Sequence, residues 1–365
     1  MRRLFAVALL LSACGGSDPA KTGDDTMTNG DAPKTPGDSG PPINGTDAGD
    51  TPLTGTKYTL QWGPVTVQPH FEGTQCVILQ LSNDTDIKVH QLHNTLSTGS
   101  HHMIVYRDND PKDAAGQTTP VNCQPFTGAL NASGMVAPMM ITQKQNDPLT
   151  LPSGVAYTMK AHQMVKLEMH YINSGDDPIQ VQGNAEFYAA DPTTIHDEAD
   201  LLFIGTPDIK LPPGMMTTVN QFFTPSRAKI DLSGSKFFAI TGHTHKLGLD
   251  MKVGLGTSNG ATPTMIYAPN PFMWAEPLTA SFIGNEFEVP QGTGFNFTCT
   301  YYNNTAGQVQ FGESANDEMC FFWAYYYPSQ GAHVCVHSDT YGGLDVCCPN
   351  DDPHDMICPL IASKF

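Results

Sequence analysis

Residues 163–172 read QMVKLEMHYI, and their alternation decides the fold class. In an extended chain Val165, Leu167 and Met169 fall on one face, and Lys166, Glu168 and His170 fall on the other. A helix would scatter the two sets around its axis, so a period of two predicts a strand with one apolar face. Similar short runs recur at YTLQW (58–62), CVILQL (76–81), HHMIVY (101–106), NAEFYA (184–189), KFFAITGHTH (236–245), FNFTCTYY (295–302) and MCFFWAYYY (319–327). Gly, Pro and Asn turn signals separate them, and helical periodicity is scarce. The pattern predicts an all-β protein of antiparallel sandwiches rather than a βαβ fold.

Working outward, the segment LLFIGTPDIKLPPG (201–214) ends one set of strands with a Pro-rich turn and opens another. Two tandem β-sandwich, jelly-roll-like domains are therefore expected, over 57–205 and 206–340, followed by a Cys-rich tail at 341–365. Residues 15–56 are dominated by Gly, Pro, Asp and Thr. They have almost nothing to bury against the entropy of ordering and are expected to form a disordered tether. The chain opens MRRLFAVALLLSACGG, with two arginines before an apolar run too short to span a bilayer. That reads as an export signal over 1–14. The tetrapeptide Leu11-Ser12-Ala13-Cys14 resembles the lipobox of bacterial lipoproteins, which implies cleavage before Cys14 and its lipidation. With Gly15 rather than Asp next, the expected location is the outer membrane, reached through the lipid anchor only.

The chain carries 18 Lys and Arg against 36 Asp and Glu, a formal net charge of −18. This argues against nucleic acid as a partner, because phosphate needs cationic neutralisation. Nine cysteines less the lipidated one leave an even number in an exported chain, which reads as disulfides.

Four segments carry candidate chemistry. In ITGHTHKLG (240–248), His243 and His245 lie two apart and point the same way in a strand, so both rings could reach one metal ion. A pair of buried, hydrogen-bonded histidines is the alternative. In GSHHMIVY, His101 and His102 are adjacent and would face opposite sides of a regular strand. They could share a metal only at a strand end or a bulge. His170 emerges on the polar face of its strand, where a ligand or a solvated ring could equally sit. In NDEMCFFWAYYYP, Met319 shares one face with Phe321, Trp323, Tyr325 and Tyr327. A methionine there is usually core, but a soft metal such as reduced copper would accept its thioether.

Taken together, HHM at 101–103, LEMHY at 167–171, HTH at 243–245 and DEMC at 317–320 resemble the type II copper, ascorbate-dependent monooxygenases. This is the family of peptidylglycine α-hydroxylating monooxygenase and dopamine β-monooxygenase. The turns LPPG (211–214) and CTYYN (299–303) fit the same resemblance, which spans roughly 57–337. It implies two copper ions per chain, one in each sandwich, facing each other across a solvent-filled cleft. Carried over residue by residue, His101, His102 and His170 would hold the electron-transfer copper. His243, His245 and Met319 would hold the copper that binds dioxygen. The reaction implied is insertion of one oxygen atom of O2 into an aliphatic C–H bond, with ascorbate or a similar reductant supplying two electrons.

The resemblance also pairs Cys76 with Cys123 and Cys299 with Cys320. Cys335 matches a family cysteine whose partner is absent here. It is left to pair among Cys347, Cys348 and Cys358, with three pairings possible and a vicinal bridge the least favoured by geometry. His337 and His354 near these cysteines leave a zinc-like site as a minor alternative. His90 and His93 read as surface or hydrogen-bonding residues.

Substrate choice is where this chain departs from the family. The peptide-hydroxylating members carry an Arg where this chain has Thr241, and polar residues where it has Phe321 and Trp323. Glu168 resembles the amine-hydroxylating branch and could orient His170, anchor a cation or stay solvated. An apolar or aromatic small molecule is the expected substrate. A copper-sequestering or copper-delivering lipoprotein with no turnover is the rival function.

Overall fold

The alternating stretch at 163–172 becomes the strand Met164–Asn173, with Val165, Leu167 and Met169 buried as the period of two requires. On its polar face Glu168 and His170 are buried too, while Lys166 is only half-buried. Groups from the second half of the chain approach that face. The fold is seen in a computed structural model that describes residues 51–124, 135–259 and 262–349, together with Cys358 and the backbone of Thr46–Asp47. The export signal, the lipidation of Cys14, His354 and most of the 15–56 tether lie outside the described residues.

The first sandwich pairs a five-stranded sheet with a six-stranded one. The five-stranded sheet runs, in spatial order, Gln117–Asn122, Phe71–Gln80, Met164–Asn173, Ser100–Asp108 and Val136–Thr142. In the six-stranded sheet Ile87–Leu96 pairs antiparallel with Ile179–Ala190, which pairs in turn with Thr56–Val67. Apolar residues of both sheets, among them Trp62, Val77, Val89, Val165, Leu167 and Phe187, form one core.

The second sandwich is built on an eight-stranded sheet, in which Lys236–His243, Cys320–Tyr327, Asp200–Thr206, His333–Ser338 and Leu344–Cys348 are successive neighbours. A four-stranded sheet of Met216–Phe223, Gly294–Tyr302, Gly248–Gly256 and Thr264–Tyr267 closes one side of it. The aromatic strand Cys320–Tyr327 shows how the layers meet. Phe322, Ala324 and Tyr326 point into the core of the second sandwich, whereas Phe321, Trp323 and Tyr325 join the core of the first. The eight-stranded sheet is thus apolar on both faces because both are covered. Gly205 makes one of these contacts possible, since a Cβ there would lie 2.2 Å from the ring of Phe321.

The expected boundary at 205–206 falls inside the strand Asp200–Thr206. Both of that strand's partners, Cys320–Tyr327 and His333–Ser338, come from the C-terminal half. Likewise Leu344–Cys348 pairs with His333–Ser338, so the first part of the Cys-rich tail is a strand of the main sheet.

Four disulfides are present: Cys76–Cys123, Cys299–Cys320, Cys335–Cys347 and Cys348–Cys358. Of the three pairings open to the last four cysteines, the antiparallel register selects one by placing Cys335 directly opposite Cys347. Cys299–Cys320 ties the four-stranded sheet to the residue that follows Met319.

Candidate metal centre

The vicinal histidines sit at the start of Ser100–Asp108, and the ladder there is irregular. His170 pairs with His102 and Tyr171 pairs with Ser100, so His101 is an extra, bulged residue. A bulge re-aims a side chain, and here it brings both rings to His170. The ring centroids lie 5.4 Å apart for His101–His102, 5.2 Å for His101–His170 and 5.0 Å for His102–His170.

His243 ends the strand Lys236–His243, opposite Phe321. Gly242, just before it, is needed for close packing: a Cβ there would lie 2.7 Å from both Met251 Sδ and the ring of Tyr267. The backbone N–H of His243 in turn points at Met251 Sδ, 3.2 Å away. Beyond the strand end, Glu318 holds the turn by accepting the N–H of His245 at 2.8 Å and that of Leu247 at 2.7 Å. The rings of His243 and His245 are 5.2 Å apart. Met319 is buried next to Glu318, on the face that continues through Phe321 and Trp323 toward the first sandwich, and its carbonyl accepts the Tyr301 hydroxyl at 2.7 Å.

The two histidine sets do not face each other across a solvent-filled cleft. His101 is 5.5 Å from His245 and 6.3 Å from His243, and His102 is 6.5 Å from His243, so five imidazoles form one contiguous cluster. Groups of the second half also approach Glu168 and His170: Glu313 lies near Glu168 and His245 near His170. Among the described residues, no group of three or more His, Cys, Asp or Glu side chains stands in metal-holding geometry.

The hydrogen bonding of the rings nevertheless fits a metal. Glu72 Oε1 lies 2.9 Å from His170 Nε2, Gln143 Oε1 lies 2.9 Å from His243 Nδ1, and the Asp317 carbonyl lies 3.1 Å from His245 Nδ1. A carbonyl oxygen can only accept, and the Gln143 amide is oriented by its NH2, which donates to the Trp274 carbonyl at 2.9 Å. Glu72 is likewise an acceptor. Burial raises its carboxyl, but hydrogen bonds from His170, Ala315 N–H and Ser314 outweigh this and hold it at about 2. These acceptors fix the proton on His170 Nε2, His243 Nδ1 and His245 Nδ1. The second nitrogen of each ring is left with a lone pair. His170 Nδ1, His243 Nε2 and His101 Nε2 are buried and meet no hydrogen-bond partner. A buried polar atom left unmet costs about 1–3 kcal/mol, and a metal ion would satisfy several at once. Burial first, and mutual repulsion of the imidazoles second, push His101, His102 and His243 well below the usual histidine range. Burial lowers His245 to about 4. These four rings are therefore neutral at pH 7, as metal ligands must be.

Thr241, Phe321 and Trp323 lie beside the cluster on the second sandwich. Thr241 is buried with its hydroxyl 2.9 Å from that of Thr279, Trp323 stands 6.1 Å from the ring of His243, and Phe321 stacks on Phe203 at 4.8 Å. Glu168 comes from the opposite sheet and accepts the Tyr106 hydroxyl at 2.9 Å. Burial pushes the Tyr106 hydroxyl and the nearby Glu313 carboxyl well above their usual ranges, and the charge of Glu168 raises both further.

Histidines outside the cluster have other partners. His93 lies between Glu186 at 2.9 Å and Asn146 at 2.6 Å, His90 contacts Gln91, and His337 lies 2.6 Å from Asp345. Glu72, Gln143 and Glu318 were not singled out from sequence. Glu318 had a signal, as the residue before Met319 in DEMC. Glu72 and Gln143 had none, since each is defined by a contact with a distant segment.

Residues 197–344 match the C-terminal domain of the copper type II ascorbate-dependent monooxygenases, which supports the family resemblance carried by the motifs. The matched span contains His243, His245 and Met319, while His101, His102 and His170 precede it. No curated relative matches the chain. Among solved structures, similarity is found to the major capsid protein P2 of bacteriophage PM2, at 8% identity and a TM-score of 0.33, covering 76% of this chain and 100% of that one. A chain of Sulfolobus turreted icosahedral virus gives 8% identity and a TM-score of 0.31, covering 76% of this chain and 90% of that one.

Proposed function

We propose that this chain is a copper-dependent monooxygenase that hydroxylates an aliphatic C–H bond of a small apolar or aromatic substrate, with O2 as oxidant and ascorbate or a similar reductant. The observation that carries the reading is the buried set of imidazoles whose outward nitrogens are held by Glu72, Gln143 and Asp317, with unmet nitrogens inside. Two copper ions are assigned, to His101, His102 and His170 and to His243, His245 and Met319. When bound, copper supplies one-electron redox chemistry and an affinity for dioxygen. Three imidazoles suit an ion that exchanges electrons, and two imidazoles with a soft thioether favour the reduced ion.

The protein's own groups supply the rest. Glu72, Gln143 and the Asp317 carbonyl hold proton and ring orientation on three of the histidines, which leaves their lone pairs fixed. Phe321 and Trp323 give the site an apolar wall that excludes water and suits an uncharged substrate. Thr241 offers no cation to a peptide carboxylate. The balance is R–H + O2 + 2 e⁻ + 2 H⁺ → R–OH + H2O, with the reductant supplying both electrons. We place the protein outside the cytoplasm, held at a surface, on the outer-membrane side, by lipid at Cys14.

Burial of the cluster favours one rival, a protein that sequesters or delivers copper. Ascorbate-dependent O2 consumption matched by hydroxylated product supports the monooxygenase. Stoichiometric copper binding without coupled turnover across apolar, aromatic and amine substrates supports the carrier.

A further inference from the structure

The acceptors that orient the imidazoles do not respect the division into sandwiches. Gln143 follows the strand Val136–Thr142 of the first sandwich, yet it bonds His243 of the second and is itself fixed by Trp274 of the second. Glu72 belongs to the strand Phe71–Gln80 of the first sandwich and contacts His170 there. It also accepts the Ala315 N–H at 2.8 Å and the Ser314 hydroxyl at 3.1 Å, both from the second. Ser314 begins the loop that leads to Met319. Within three residues that loop presents the Asp317 carbonyl to His245 Nδ1, and the next residue, Glu318, accepts the N–H of His245 and Leu247.

We propose that Glu72 and Gln143 are positioning residues that join the two histidine sets into one interdependent site. Glu72 sets His170 by contact and His245 at a distance through the loop 314–318, while Gln143 sets His243 from the opposite sandwich. This rests on the copper reading of the cluster. Its physical basis is that a ring held by an acceptor on its outer nitrogen keeps its lone pair aimed. Loss of such a partner typically weakens metal binding about 10–100-fold. Glu72 makes no hydrogen bond to His243 or His245, but its charge reaches His245 through space; the neutral Glu72→Gln, which keeps the oxygen for the loop, separates positioning through the loop from that charge.

The test uses the full chain in an anaerobic Cu(I) titration against a competing chelator, with folding followed by circular dichroism. A His101→Ala/His102→Ala/His170→Ala parent leaves His243, His245 and Met319 as the copper-binding set. In that parent Glu72→Leu is expected to weaken the remaining copper by about 10-fold or more. Glu72→Gln keeps an oxygen for the Ala315 N–H and is expected to restore most of that loss. Gln143→Leu, in the wild-type background, is expected to weaken one copper equivalent by a similar factor. If Glu72→Leu fails to fold, Glu72→Gln with Ser314→Ala takes its place, and about a three-fold loss is expected. Equal affinity, within two-fold, in the parent and its Glu72 variant overturns the coupling while leaving the copper reading intact. Failure of the wild-type chain to bind copper overturns both.

Discussion

Removing the Glu318 carboxyl should release the turn that carries His245. Glu318 is fully buried, and its two oxygens accept the N–H groups of His245 and Leu247, which are 1% and 5% exposed. Glu318→Ala leaves two backbone donors where water does not reach. At about 1–3 kcal/mol for each unmet donor, the loss is about 2–6 kcal/mol. Glu318→Gln keeps one oxygen but turns an NH2 toward the other N–H, so it should lose roughly half as much. Burial raises the Glu318 carboxyl to about 8 against the pull of the Leu247, His245 and Met319 N–H groups. The folded state therefore binds more protons than the unfolded state between about pH 4.5 and 8, and wild-type stability falls as pH rises through that window. Glu318→Gln lacks this dependence, so its deficit against wild type should narrow toward pH 8. Urea denaturation at pH 6 and 8, with hydrogen exchange at the amides of His245 and Leu247, measures both effects. An alanine variant within about 0.5 kcal/mol of wild type, with both amides still protected, would refute the reasoning; a change that small is typical of a surface site.

Asp108 offers a second pH test: burial foremost, then the adjacent Asp113 carboxylate, raise it to about 6, although the Asp110 N–H pulls the other way. Its folded value lies above its unfolded one, so stability should fall between about pH 4 and 6, and Asp108→Asn should raise Tm at pH 7.5 and flatten that slope. Gly242→Ala sets a Cβ 2.7 Å from Met251 Sδ and the Tyr267 ring. It should destabilise by about 1–3 kcal/mol and lower copper uptake at His243, read by thermal melts and metal analysis. Replacing Cys299 and Cys320 together by Ser should cost about 2–4 kcal/mol in chemical denaturation, because the bridge ties the residue after Met319 to the four-stranded sheet.

The sheet architecture was legible because alternation leaves its mark in the sequence: Val165, Leu167 and Met169 are on the inner face that a period of two predicts. Burial of the opposite face was not legible. Glu168 and His170 are polar, and their neighbours from the far end of the chain, Glu313 beside Glu168 and His245 beside His170, leave no local mark in the sequence. The boundary near 205 misled for a related reason. LLFIGT looks like the last strand of one set, but its hydrogen-bond partners lie more than a hundred residues later, at 320–327 and 333–338. The histidine motifs were visible as motifs, and the condition stated for His101 and His102, a strand end or a bulge, is met by the bulge at His101. Distances between motifs were not visible, so the cleft expected from family resemblance gave way to one cluster. Glu72 and Gln143 act only through contacts between sandwiches, and no local pattern marks such residues.

The most direct measurement is copper stoichiometry with X-ray absorption on the purified full chain under reducing, oxygen-free conditions. Two bound equivalents are expected, with histidine-type scattering and a sulfur contribution that disappears in Met319→Ala. One equivalent should be lost in His170→Ala and the other in His243→Ala. A chain that holds no copper after dialysis, or whose copper is unchanged by these three substitutions, would contradict the assignment of the cluster.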